Sequence, residues 1–149
     1  MIQEAIAKLV ARTAVETASA HCDGPCGVYD PASARIAAEA ALSMTKKIIA
    51  LGPADTDSNT YSRFVSIKEE QAHLAKTELL VLWTDYFKPE HLEACPDLHE
   101  KFWNAAKLCS AVKQGIDEDA ANALMAAIED IHNVFWASKS REVEYYVAS

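Results

Sequence analysis

No run of apolar residues in this 149-residue chain reaches the roughly 18 to 20 needed to cross a bilayer, so the sequence has no membrane span. Glycine and proline are scarce, at 4 and 5 residues, which excludes collagen-like and loop-dominated low-complexity architectures. Lysine and arginine together number 14 against 22 acidic residues, and they form no basic stripe. Nucleic acid is thereby excluded as a partner, because binding phosphates takes clustered cations. Four cysteines, Cys22, Cys26, Cys95 and Cys109, are too few to staple a domain of this size and fit a reducing, intracellular compartment. What is abundant is alanine, within a composition that is 50% apolar with a formal net charge of -8. A helical globular domain with a substantial core follows from that balance.

The first twenty residues stand apart. Ile2, Ile6, Leu9 and Val10 recur at helical spacing. Glu4, Lys8, Arg12 and Glu16 break any continuous apolar segment, so residues 1–20 do not read as a secretory signal. Ala18-Ser19-Ala20 has the small-residue pattern that precedes a cleavage point. Residues 1–20 are therefore expected to be a removable leader, and residues 21–149 the mature domain. Cutting removes two charges of each sign and leaves the net charge at -8.

Four amphipathic helices are expected beyond it. Asp30-Pro31 offers a cap followed by a proline suited to the first helical position. Ile36, Ala40, Met44, Ile48 and Leu51 then mark an apolar face up to Gly52-Pro53. A second helix is expected from about Tyr61 to Tyr86, with Phe64, Ile67, Leu74, Ala75, Leu79 and Leu82 inward, followed by a loop over residues 87–96. A third starts near Asp97, presents Leu98, Phe102, Ala105 and Leu108, and ends before Gly115. Asp117 caps a fourth, striped by Leu124, Ile128, Ile131 and Phe135. Residues 141–149 show no period. The expected fold is all-α, a four-helix bundle, with the segment His21–Tyr29 as an N-terminal hook just before its first helix.

That segment, His21-Cys22-Asp23-Gly24-Pro25-Cys26-Gly27-Val28-Tyr29, carries the chemistry. If the bond between Ala20 and His21 is cut, His21 gains a free α-amine next to the amide nitrogen of Cys22. Amine, amide nitrogen and two thiolates make a planar two-nitrogen, two-sulfur set, with the His21 imidazole left for an axial position. Such a set suits Ni(II) or Cu(II) and not tetrahedral zinc. Anionic thiolates and a deprotonated amide also favour a higher oxidation state, and binding that releases protons strengthens with pH. Taken alone, however, Cys-x3-Cys also fits a disulfide or a generic metal clip, and His21 an ordinary surface histidine.

The hook segment, continued through Asp30-Pro31, resembles the nickel-hook motif of the nickel superoxide dismutase family. The resemblance runs on through Lys68-Glu69-Glu70, Leu82-Trp83-Thr84-Asp85-Tyr86-Phe87-Lys88-Pro89, Pro96-Asp97-Leu98-His99 and Phe135-Trp136, from His21 to about Lys139. It implies a cytoplasmic enzyme that converts superoxide to oxygen and hydrogen peroxide by Ni(III)/Ni(II) cycling. It implies a homohexamer of four-helix bundles and a protease that removes the leader. His21 would supply the amine and imidazole, Cys22 its amide nitrogen and sulfur, and Cys26 its sulfur, all to a nickel ion. Tyr29 and Asp23 would limit access to small anions, with Tyr86 near the channel and Lys88 drawing the anion in. The sequence departs from the family at two places, with Ala37 and Gln71 where a Glu and an Arg commonly hold the axial imidazole.

Two rival readings bear on the same chain. Glu70-x-x-His73 and Glu129-x-x-His132 are spaced like the ligands of a di-iron bundle, but on a helical wheel both pairs lie mostly off the apolar faces and are expected at solvent or a subunit interface. The hook also suits a non-enzymatic carrier of nickel or copper. His91 and His99 read as ordinary polar residues, and Cys95 and Cys109 as small apolar side chains or partly exposed thiols.

Overall fold

The computed structural model describes residues 27–52 and 58–148. The leader, and His21, Cys22, Asp23 and Cys26 of the hook, lie outside the described residues. Five α-helices occur among those described: α1 (Ala32–Leu51), α2 (Asn59–Val81), the short α3 (His91–Ala94), α4 (Leu98–Gln114) and α5 (Glu118–Ser138). A wide π turn, Leu82–Tyr86, extends α2. No helix among the described residues is long and apolar enough to cross a membrane. The four long helices pack in a ring, α1 on α2, α2 on α4, α4 on α5 and α5 back on α1, which is the expected four-helix bundle.

Local chemistry sets the helix ends. The Asp30 carboxylate accepts from the Ala32 amide at 2.8 Å, and Gly52 closes α1 at φ 67°, a backbone region that favours glycine. Ser58 accepts from the Tyr61 amide at 3.0 Å, so α2 begins at Asn59, two residues before the expected start. Asp117 accepts from the Asp119 and Ala120 amides and starts α5 as expected. Within the stretch expected to be a loop, His91–Ala94 forms one helical turn.

The inward faces differ from expectation in α1 and α2. Ile36 is 58% exposed, Ala40, Met44 and Leu51 are half-buried, Ile67 and Leu74 are exposed and Phe64 is half-buried; on α4, Leu108 is half-buried as well. The seam of α1 is instead Ala34, Ala37, Ala38, Ala41, Thr45 and Ile48, facing Ala72, Ala75 and Leu79 of α2. The largest apolar side chains are a poor guide here because alanine lets two helix backbones approach closely. Across the bundle the buried positions advance by alternating threes and fours: 68, 72, 75, 79, 82 in α2; 98, 102, 105, 109, 112 in α4; and 121, 124, 128, 131, 135 in α5. That alternation is the knobs-into-holes pattern of a left-handed bundle.

Both ends of the bundle are specialised. At one, Lys68 is 2% exposed, and its ammonium donates to the carbonyls of Val112, Lys113 and Gly115 at 2.6, 2.9 and 2.8 Å. It closes the C-terminus of α4, where carbonyls lack helical partners. At the other end Tyr86, Phe87, Phe102 and Phe135 pack together as an aromatic cluster. Residues 141–148 form no regular element but strap across α1 and α5. Val143 carbonyl meets His132 Nε2 at 2.8 Å, the Tyr145 hydroxyl donates to Met125 carbonyl at 3.2 Å, and the Ala148 amide donates to Glu39 at 2.7 Å.

Candidate metal centre

The described chain enters the bundle through Gly27, Val28 and Tyr29 at the aromatic end. Gly27 has φ 64°, a turn that a side chain would strain. Tyr29 is half-buried, and its ring lies 5.6 Å from that of Tyr86, tilted by 53°. Below the exit, Val28, Tyr29, Asp30, Ser33, Glu78 and Leu82 line a cavity of about 150 Å³. Of the departures in the sequence, Ala37 is 1% exposed within the α1 seam and Gln71 is half-buried on α2.

Tyr86 reaches this place because the helix widens. Phe87 donates its amide to Leu82 carbonyl at 3.1 Å, five residues back, which is the bond of a π turn, a feature frequent at functional sites. The Tyr86 ring then packs against Phe135 at 4.6 Å and stacks on His91 at 5.7 Å and 13°. Its hydroxyl lies 2.7 Å from Ser138 Oγ, and the Lys139 ammonium sits 5.0 Å from its ring centre. Lys88 is exposed, and its backbone N–H donates to His91 Nδ1 at 2.9 Å.

His91 is thus more than an ordinary polar residue: it caps the turn after Tyr86 and flanks that ring. The spacing of Lys88 and His91 is a local capping signal, but the stacking depends on the π turn, which no period in the sequence announces. His99 is also engaged, accepting the Trp83 indole N–H at 2.8 Å. Ser138 and Lys139 escaped the sequence reading because they come from the far end of the chain.

Their surroundings hold both cysteines of the bundle in the thiol form. Cys109 is 1% exposed, and burial pushes its pKa up to about 12. Cys95 is half-buried; burial first, then its hydrogen bond to the Asp97 carboxylate, raises its pKa. Of the di-iron candidates, Glu70, His73 and Glu129 are exposed, so the rejection of that site stands. His132 is a correction: it is 7% exposed and turned to the strap, not to solvent. Among the described residues no group of three or more His, Cys, Asp or Glu side chains is gathered that would hold a metal.

The sequence model for nickel-containing superoxide dismutase matches residues 16–139. The chain belongs to the nickel-containing superoxide dismutase family. A nickel superoxide dismutase from Streptomyces seoulensis is 45% identical over 121 residues, covering 81% of this chain and 89% of that relative. One from Streptomyces coelicolor is 42% identical over 123 residues, covering 83% and 91%. The solved structure of a native nickel superoxide dismutase superposes with TM-score 0.75 at 40% identity, covering 81% of this chain and all of that one. Another, with the nickel ligation of the oxidised state, gives 0.74 at 43% identity.

Membership in the nickel superoxide dismutase family makes this chain an oxidoreductase with a nickel cofactor and superoxide as its substrate. The enzyme reading therefore prevails over the carrier reading. The donor types in the sequence His21–Cys26, imidazole, backbone nitrogen and thiolate, suit nickel.

Proposed function

We propose that the nickel of this superoxide dismutase is held by the hook, by His21, Cys22 and Cys26, once the leader has been cut away after Ala20. The observation that carries this reading is the placement of Tyr29 against Tyr86 where the hook leaves the bundle. Nitrogen and sulfur donors are concentrated in the segment His21–Cys26, which ends three residues before Tyr29. When bound, nickel supplies the one-electron Ni(III)/Ni(II) couple that dismutation requires.

The protein's own part is to bind, screen and deliver. The α-amine and imidazole of His21, the amide nitrogen and thiolate of Cys22 and the thiolate of Cys26 must lose protons before they bind a metal, so affinity rises with pH. Asp23 and Tyr29 restrict the approach to small anions. Tyr86 backs Tyr29, and Lys88 lies on the rim. With Ala37 and Gln71 in place of an acid and a base, the His21 imidazole has weaker orientation than in relatives that keep them; a water or another side chain, such as Glu78 in the cavity below, takes over in part. Assembly as a homohexamer, a dedicated processing protease and a cytoplasmic location complete the reading.

The test is a matched pair of proteins, one starting at Met1 and one starting at His21, with intact mass, nickel content and superoxide consumption measured on each. The His21 form is expected to bind about one nickel per chain at a metal-saturating concentration and to be active, and the Met1 form to do neither. Full activity with the leader in place refutes the amine ligand. Cys22→Ser and Cys26→Ser are expected to abolish nickel binding and activity while the helical circular dichroism stays unchanged.

A further inference from the structure

We propose that Lys139 guides the anionic substrate to the site and that Ser138 is a positioning residue holding the Tyr86 phenol beside it. The proposal rests on the reading above, in which Tyr86 stands by the hook. Ser138 has a single hydroxyl proton, and it donates that proton to the Phe135 carbonyl at 2.7 Å. The 2.7 Å contact between Ser138 Oγ and the Tyr86 hydroxyl is then donated by Tyr86. The proton chain is directed, from Tyr86 to Ser138 to the backbone at the end of α5.

This direction has a consequence for an approaching anion. Tyr86 commits its only donor to Ser138, so the phenol offers the anion no proton of its own. Positive charge at this spot comes from Lys139, whose ammonium lies 5.0 Å from the ring centres of both Tyr86 and Phe135. Ser138 and Lys139 are neighbours at the last turn of α5, so one helix end fixes both the phenol and the cation. In a chain of net charge -8 the overall field repels superoxide, and a local cation matters more. Lys88, expected from the sequence to do this work, is exposed; among the described residues its backbone, not its ammonium, has a defined partner, His91.

Were Lys139 there only to pack on the rings and close the helix, its charge would leave no salt signature. With leader-free, nickel-loaded protein, Lys139→Gln is expected to lower kcat/KM for superoxide about threefold at low ionic strength. The difference closes at about 0.5 M salt, where screening is nearly complete. Lys139→Arg keeps the wild-type rate and salt dependence. Independently of the metal, nuclear magnetic resonance of the metal-free protein is expected to show the Lys139 ε-methylene protons shifted upfield by the two rings. Ser138→Ala diminishes that shift, and Ser138→Thr restores it. The proposal is overturned by a Lys139→Gln loss that is equal at both salt concentrations, by no loss at all, by a Lys88→Gln variant that carries the whole salt dependence, or by unshifted methylene protons. If the wild-type protein, processed and loaded, consumes no superoxide, the hook reading fails and takes the guiding role with it; the resonance experiment still judges the geometry separately.

Discussion

Tyr29 and Tyr86, 57 positions apart in a chain of 149, bring their rings within 5.6 Å of each other at the foot of the hook. One belongs to the strand of chain that leaves the hook and the other to the wide turn that ends α2. A tilted aromatic pair of this kind contributes about 1 kcal/mol beyond the area it buries. Tyr86→Leu is therefore expected to destabilise the fold modestly and to cut turnover per nickel about tenfold, because misplacing a group by an ångström is costly in rate. Tyr86→Phe keeps the ring pair and is expected to retain near-native stability in urea melts. A Tyr86→Leu variant with unaltered turnover per nickel removes Tyr86 from the site.

Lys68 gives a second prediction. Among the described residues its three carbonyl acceptors have no other donor once the ammonium is gone, although Lys68→Met preserves most of the apolar stem. The expected loss is about 2 to 3 kcal/mol, from buried acceptors left without a partner. Denaturant unfolding followed by circular dichroism measures it, and native-state hydrogen exchange should show the C-terminal turn of α4 opening first.

The cysteines should sort by reactivity. At pH 8 a thiol with its pKa pushed up to about 12 is almost wholly protonated, and the thiolate is the nucleophile. Cys109 is expected to resist iodoacetamide until the protein unfolds, and Cys95 to react slowly. Peptide mapping after a timed pulse distinguishes them; rapid labelling of Cys109 in the folded protein contradicts its burial.

The strap over α1 and α5 adds stability of a kind that depends on pH. Glu39 bonds Arg35 at 2.9 Å through one oxygen and the Ala148 amide through the other. Glu39→Ala leaves a buried guanidinium without that carboxylate, and about 3 kcal/mol of stability is expected to go with it. Burial raises the Tyr145 pKa from 10 to about 12. A group that holds its proton more tightly when folded contributes stability that is complete below its unfolded pKa, so the contribution is present below pH 10 and disappears as pH climbs toward 12. Tyr145→Phe should flatten the alkaline end of the stability curve over that window.

The helix ends and most of the bundle were readable from residue order alone. Asp30, Gly52, Asp117 and Gly115 act through backbone groups a few positions away, and such interactions are encoded locally. The apolar stripes of α4 and α5 were equally plain, because Leu98, Phe102, Leu124, Ile128 and Phe135 are large and regularly spaced. In α1 and α2 the stripe was misjudged: there the seam is built of Ala34, Ala37, Ala38, Ala41, Ala72 and Ala75, and a small side chain signals close approach only when its neighbour across the interface is known.

By itself, then, the amino-acid order determined an all-α bundle, its caps, and a segment rich in nickel donors just ahead of the first helix, since each of these rests on contacts between near neighbours or on a simple repeat. Only the tertiary structure decided what surrounds Tyr29 and which distant residues meet around the bundle. The π turn that swings Tyr86 to Tyr29, the directed hydrogen bonds from Tyr86 through Ser138, the Lys139 ammonium above the ring and the strap on Arg35 and Glu39 all join residues from distant parts of the chain. Their partners are chosen by how the helices pack, and packing is a property of the whole core.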